Sequence, residues 1–547
     1  MTATTAPRPA SRPVLLCLLV VLAYGVVARL VGQTTIELWA DEADWAIRAA
    51  TGTDTFIRPA GSMWLARQLI ALRNDEILLR LPSLIAGIAT LPLLFAVLRR
   101  LVRPAVAVVV VALFVAHPVA LGMSREFKPY AVEAALHLAV LLLALRLLHR
   151  HTTRDAGLLA TLTTTAPVLS WSIVFAYPGA YLLALRDGLE SWRRGERRTL
   201  PIIVGGIVAT LTMLAALFAL RVGGEDRKAE YWGTTYDVFF VGDDGDGVLA
   251  KPLWVLQKLV TLLQWPGRLD LPTTLRGLTE AMAAIVVVVG VVALVRQRRW
   301  RVLLLLVLPF VTTLVFNLLG QWPWGRFRTN FHLLPLASVL LGLGLDLVVD
   351  GLAKLHRRGP QTGAVVVGVA LVAMVPRQVG HFDRKLAASQ TGEAQMHRAL
   401  ALMHEAIAAT TNISTTTKQP LLLDKHACGL FRYYTQFHAD AAREHGAFFA
   451  AHVDDRCVLD ARGDGAIAGR LADDWFAFVD EQLTQPVWVM TVQRALEAKT
   501  VKRLRARCAI DHEHALRGMT LLHCTPRPDA PATAPATAPT AHDDVDE

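Results

Sequence analysis

Apolar runs of about 20 residues alternate with short polar connections along most of the chain. A helix of that length crosses the ~30 Å of a bilayer's hydrocarbon core. The pattern predicts spans at 13–31, 77–98, 104–121, 130–149, 155–169, 171–186, 199–221, 275–296, 301–320, 331–350 and 361–379. The pair 155–169 and 171–186 is short and is interrupted by Pro167 and Pro178, which a spanning helix tolerates when neighbours replace the lost hydrogen bonds. Three stretches are amphipathic instead: one starting near Asp41, one over 61–73 and one over Lys251–Gln264. These predict helices lying on the membrane surface.

Beyond about residue 380 the pattern is that of a soluble domain. Helical periodicity at Glu393–Ala409 and Ile467–Leu483 alternates with strand-like runs at Pro420–Leu423, Phe448–Ala451, Val487–Met490 and Met519–Leu522. The expected fold class is therefore a polytopic α-helical membrane protein of about 11 transmembrane helices over 1–380, with a C-terminal extracytoplasmic α/β domain over 381–524. Residues 525–547, rich in Pro, Ala, Thr and Asp, read as a disordered tail.

Composition narrows the class. The 547 residues are 53% hydrophobic and 19% charged, too apolar for a soluble protein of this length. The net charge of +10 is not a nucleic-acid signal, because the basic residues cluster in short loops: Arg99–Arg103, Arg146–Arg154, Arg193–Arg198, Arg296–Arg301 and Lys354–Arg358. With the short pair counted as two spans, all five loops share one side with the N-terminus, which places that side in the cytoplasm. The expected location is the plasma membrane, multi-pass, with everything after 380 outside. The first apolar run follows Arg8 and Arg12 and lacks a small-residue cleavage site, so it reads as an uncleaved span. Cys17 lies in that span, and Cys428, Cys457, Cys508 and Cys524 fall in the terminal domain. An oxidising outer compartment favours disulfides, and the shortest loops pair Cys428 with Cys457 and Cys508 with Cys524.

Candidate chemistry gathers in the outer connections. The first carries Asp41, Glu42 and Asp44; the second carries Arg125, Glu126, Lys128 and Tyr130; the turn before 331–350 carries Trp322, Trp324, Arg326 and Arg328. Each group has a plain structural reading as well: Asp41 as a helix cap, Arg125 and Lys128 as snorkelling anchors, the tryptophans as an aromatic belt. Taken together, carboxylates beside cations and aromatic walls suit transfer of a sugar. A carboxylate deprotonates an acceptor hydroxyl while cations stabilise a phosphate leaving group.

The order Trp39-Ala40-Asp41-Glu42, Arg58-Pro59-Ala60, Arg80-Leu81-Pro82-Ser83 and Ser124-Arg125-Glu126-Phe127-Lys128-Pro129-Tyr130 resembles the dolichyl-phosphate-mannose protein mannosyltransferase-like family of GT-C glycosyltransferases (glycosyltransferase family 39 type). Gly325-Arg326 followed by Pro335 resembles that family's late outer loop. The departure is Arg58-Pro59-Ala60, where the family often has a Pro-Pro pair preceded by His. The resemblance covers roughly 1–350. It implies an inverting transferase that moves a hexosyl or pentosyl group from a polyprenyl-phosphate donor to a glycan, lipid or protein acceptor. It implies Asp41 as the catalytic base with Glu42 assisting, Arg125, Lys128 and Arg326 as ligands of the donor phosphate, and Glu126 and Glu42 as ligands of a divalent metal ion. Neighbouring carboxylates on a helix point about 100° apart, so Asp41 and Glu42 are expected to serve different atoms. The alternative is a transporter or flippase of lipid-linked envelope precursors, which predicts ionisable residues inside the spans and related halves.

Overall fold

The computed structural model describes residues 11–355, apart from 32–37, 39, 53–57, 151, 222–236, 241–248 and 270, and residues 395–527, apart from 411–417, 424, 458–477, 480–481, 492–500, 503 and 517–518. The expected span at 361–379, the helix at Ile467–Leu483 and the tail at 525–547 lie wholly or almost wholly outside the described residues. By their contacts the residues form two compact units, Met1–Leu38 with Asp44–Thr391, and Trp39–Ala43 with Gly392–Glu547.

The first unit is helical. Its elements are α1 (Arg12–Leu30), α2 (Ala40–Thr51, of which residues 40–43 count with the second unit), α3 (Ala60–Leu72), α4 (Glu76–Leu98), α5 (Pro104–Ala116), α6 (Pro118–Met123), α7 (Tyr130–Arg150) and α8 (Thr153–Leu169). They continue with α9 (Tyr177–Arg193), α10 (Thr199–Arg221), α11 (Ala250–Gln264), α12 (Thr273–Arg296), α13 (Trp300–Leu318) and α14 (Leu333–Leu355). Among the described residues seven helices are long and apolar enough to cross a membrane: α1, α4, α7, α10, α12, α13 and α14. The three amphipathic stretches of the sequence are α2, α3 and α11.

Local chemistry sets the boundaries. The Asp75 carboxylate accepts the Leu78 N–H at 2.8 Å and starts α4. Thr152 caps α8 in the same way, accepting from the Asp155 N–H. The apolar run 104–121 is not one helix but α5 and α6. Pro118 has no N–H to give, and the residue before a proline is pushed out of the helical region, so His117 is extended at φ −73°, ψ 120°. Its imidazole then caps α6, with Nδ1 accepting from the Ala120 N–H, and ties the break to a distant turn, with Nε2 at 2.9 Å from the Trp265 carbonyl. The short pair is likewise interrupted, with Ser170 extended and a 3-10 turn at Ser172–Ala176 between α8 and α9.

Small residues allow close helix packing. A Cβ on Gly290 of α12 would collide with the Leu340 carbonyl of α14, and one on Gly344 of α14 with the Val286 carbonyl of α12. At the loop ends three buried or half-buried pairs pin neighbouring helices: Arg103–Asp346 at 2.7 Å, Arg146–Asp155 at 2.7 Å and Arg301–Asp187 at 3.2 Å. The opposite surface of α12 shows Leu278, Met282, Ile285, Val288 and Val292, apolar area of the kind a lipid covers.

The second unit holds a five-stranded sheet in the order β2-β1-β3-β5-β4. Its strands are β1 (Gln419–Leu423), β2 (Val453–Cys457), β3 (Val487–Thr491), β4 (Cys508–Leu516) and β5 (Met519–Pro526). β1 runs parallel to β2 and β3, and β5 antiparallel to β3 and β4. Val487, Val489, Leu522 and Cys524 build a buried face with Leu422 and Leu504. The unit also contains α15 (Gln395–Thr410), α16 (Lys425–Arg432) and α17 (Ala447–His452). The expected strand at Phe448–Ala451 is therefore a helix. Ala447, Ala450 and Ala451 are strong helix formers, and a π-helical turn at Ala442–Gly446 already leads into α17. Strand β2 begins only at Val453. Cys508 and Cys524 form a disulfide, as expected, and Cys428 is also disulfide-bonded.

Candidate functional site

A cleft of about 390 Å³ opens in the first unit between α3, α4 and the turn that leads into α7. Volumes of 300–1,000 Å³ are usual for ligand sites. Its walls are apolar, with Leu65 and Leu69 from α3, Leu79 and Ile85 from α4, Phe127 from the turn and Val132 from α7. Three polar residues reach it, Ser62, Ser83 and Lys128. The Ser62 hydroxyl is committed to the Leu169 carbonyl at 2.8 Å and the Ser83 hydroxyl to the Lys128 carbonyl. Lys128 brings a charged group to the cleft.

Lys128 is 4% exposed, and a buried charge needs compensation. Part of it comes from Trp45 of α2, which also lines the cleft: Nζ sits 4.5 Å from the centre of the indole. Arg58 Cζ lies 5.1 Å from the centre of the same ring, and Phe127 meets it edge-on at 6.2 Å. Asp44, the residue before Trp45, accepts from Arg58 Nη2 at 2.6 Å and from Arg48 Nε at 2.9 Å. The Asp44–Arg58 contact is the more shielded of the two, since Arg58 is 13% exposed and Arg48 39%.

The residues singled out from sequence are distributed as follows. Asp41 and Glu42 occupy the first turn of α2, Asp41 half-buried and Glu42 fully buried. Asp41 stands one turn before Asp44 and Trp45 on that helix. Glu126 is half-buried in the turn that carries Lys128. Arg125, in the same turn, donates to the Ala28 carbonyl at the end of α1. Burial, followed by the neighbouring Arg80, pulls its guanidinium down to about 10. Arg326 pairs with Glu280 of α12 at 3.1 Å. There it also faces Arg268, whose guanidinium is lowered by burial and then by Arg326. Trp322 and Trp324 hold the 321–330 turn together: Trp322 Nε1 donates to Asn330 Oδ1 at 2.9 Å, and Trp324 is 1% exposed.

Sequence reasoning passed over Trp45 and Arg58 as functional residues, although Arg58 lies inside a stretch it quoted and Trp45 just after another. It also missed a buried polar group in the helices. Glu133 and His137 are 4% and 1% exposed in α7, and His137 stacks on the fully buried His332 at 4.5 Å. The spacing Glu133-x-x-x-His137, which puts both side chains on one helix face, was the available signal.

Among the described residues, the carboxylate beside Trp45 is not open to a divalent cation, because Asp44 has its oxygens engaged by Arg48 and Arg58. Glu42 and Glu126 are the carboxylates that would hold a divalent metal if one is bound.

No family model matches the chain, and no curated protein matches it in sequence. Solved structures do resemble it. One is ArnT from Cupriavidus metallidurans bound to undecaprenyl phosphate, 15% identical over 92% of this chain and 97% of that one, with a TM-score of 0.49. Another is the archaeal oligosaccharyltransferase AglB from Archaeoglobus fulgidus, in complex with an inhibitory peptide and a dolichol-phosphate. It is 12% identical over 95% of this chain and 75% of that one, with a TM-score of 0.48. The Archaeoglobus fulgidus oligosaccharyltransferase in complex with Zn and sulfate is 15% identical over 89% and 69%, with a TM-score of 0.46.

Proposed function

We propose that the protein is an inverting membrane glycosyltransferase of the GT-C type. It moves a sugar from a polyprenyl-phosphate donor to an acceptor hydroxyl on the outer face of the membrane. The observation that carries this reading is the apolar cleft with one buried lysine at its mouth. An isoprenoid chain fills an apolar slot without leaving a polar group unpaired, and its phosphate needs a cation where the slot ends.

In this reading Lys128 and Arg58 receive the phosphate. Asp41 takes the proton of the acceptor hydroxyl as that oxygen attacks the anomeric carbon. The bond from that carbon to the phosphate oxygen breaks, and its electron pair leaves with the phosphate. Glu42 is buried and assists by holding the first turn of α2. Arg125 and Arg326, each engaged by a protein oxygen, are the further candidate ligands of the phosphate in this reading. The acceptor is a glycan, a lipid or a protein. The runner-up, a flippase of lipid-linked precursors, draws on Glu133 and His137 inside α7, since ionisable residues within a span mark transport paths.

Sugar transfer from polyprenyl-phosphate donors, followed in nanodiscs as release of polyprenyl phosphate, tests the reading. A general base contributes about 10²–10⁴-fold. Asp41→Asn should therefore lose nearly all activity at unchanged thermal stability. A first-turn carboxylate that serves only the helix dipole contributes about 0.3–1 kcal/mol, so a purely structural Asp41, which lies within the first turn of α2 and is not its cap, predicts a near-normal rate instead. Lipid movement across the bilayer without any transfer would favour the flippase.

A further inference from the structure

We infer that His512, His514 and His523 form a binding site for a divalent transition-metal ion of the zinc class, on one face of the terminal sheet. The site lies within the second unit, and the proposed sugar transfer uses none of its residues.

Strand pairing brings the three imidazoles together. His512 on β4 stands directly opposite His523 on β5, so both side chains leave the sheet on the same face. His514, two residues on, leaves it there too. Leu522 and Cys524, the neighbours of His523, point the other way into the buried cluster. Ring centres lie 6.0 Å apart for His512 and His523, and 6.5 Å apart for His512 and His514. The register shifts between Ile510 and His512, which makes Asp511 an extra residue on β4. Such a bulge re-aims a side chain. Here the Asp511 carboxylate accepts from Thr525 Oγ1 at 2.5 Å and lies 3.2 Å from His523 Nδ1. Glu513 faces away from the site, and both its oxygens accept from Arg505.

The donor set is one that zinc takes. Imidazole nitrogen suits Zn, Cu and Ni, and three histidines leave a fourth, tetrahedral position to water. A ligating histidine donates its other ring N–H to a carboxylate, which fixes its tautomer and orientation. Asp511 stands in that relation to His523 Nδ1 and leaves Nε2 to ligate. Trp488, 2% exposed, packs 4.8 Å from His523 and 5.9 Å from His512 and gives the site an apolar wall. Zinc–nitrogen bonds of about 2.1 Å put the ring centres about 5 Å apart around a tetrahedral ion. The observed rings stand farther apart than that, and His512 and His514 are nearly parallel at 15°. Loading therefore turns these two rings inward. His512 is exposed and His514 half-buried, so both have room to turn, while His523 stays on Asp511. The ion then fastens the edge strand β4 to β5.

The test uses the full chain without an affinity tag, in nanodiscs, stripped by a chelator and titrated with zinc chloride against a zinc-sensitive dye. The double variant His512→Ala, His514→Ala should bind one zinc equivalent fewer than the wild type. Asp511→Asn should keep the stoichiometry and weaken that equivalent about 10–100-fold, the usual cost of losing an outer partner. Zinc should also raise the unfolding midpoint of the terminal domain in the wild type and not in the double variant, because the ion binds the folded sheet. His512→Gln changes one exposed side chain, so it keeps the fold even where the double variant does not, and it should weaken zinc on the order of tenfold. Wild-type zinc stoichiometry and affinity in the double variant would overturn the inference. Unchanged affinity in His512→Gln, or no zinc on the wild-type protein, would overturn it too.

Discussion

His445 is a buried imidazole that faces another imidazole. It is 4% exposed, and its Nδ1 lies 3.2 Å from Nδ1 of His404 on α15. Burial lowers its proton affinity, Glu444 works against that, and His404 adds to it. A histidine whose folded pKa is lowered takes its proton more readily in the unfolded chain. Its stabilising contribution is complete above about pH 6.5 and is lost as the pH falls below that value. Protection of the α15 amides, taken relative to their intrinsic exchange rates, should therefore fall between about pH 7 and 5, and His445→Gln should flatten that dependence. An unchanged pH profile in the variant would count against it. The same scale shows what could be read from sequence at the candidate site. Lys128 was legible because a lysine beside an apolar run has few bland roles. Trp45 and Arg58 were not, because spacing says nothing about which cation reaches which ring, and Lys128 reaches Trp45 from a distant part of the chain.

At the scale of elements, periodicity identified the long helices well, because burying or lipid-facing an apolar helix needs a run of fixed length and composition. It was weakest where one residue redirects the backbone. The run 104–121 looks continuous, yet Pro118 divides it and His117 holds the break. Phe448–Ala451 is apolar enough for a strand, yet its alanines continue a helix. Strand β4 escaped notice because Asp511, His512 and Glu513 are exposed on an edge strand, which removes the apolar signal. Its cysteine was the clue, for Cys508 is tied to Cys524 of β5 across a separation of 16 residues. A loop of that size is worth about 3 kcal/mol. The double variant Cys508→Ser, Cys524→Ser should lower the unfolding free energy of the terminal domain by that order, read as an earlier denaturant midpoint. A midpoint shifted by less than a few tenths of that amount would mean that sheet packing alone holds β4.

For the whole molecule the distribution of basic loops predicts the side on which each part stands. The N-terminus is proposed to be cytoplasmic and the terminal domain outside. A single cysteine at position 405, exposed on α15, in a chain otherwise cleared of reactive thiols, should be labelled by an impermeant maleimide in intact cells. Labelling only after the membrane is opened would reverse the topology. The central claim is that the cleft between α3, α4 and α7 holds the lipid of a polyprenyl-phosphate donor. A benzophenone-bearing polyprenyl phosphate, photolysed on the wild-type protein and mapped by mass spectrometry, tests it without knowledge of the sugar. Adducts are predicted on the segments 60–72 and 76–98, suppressed by unlabelled undecaprenyl phosphate. Adducts confined to other helices, or adducts on these two that undecaprenyl phosphate does not displace, would contradict it.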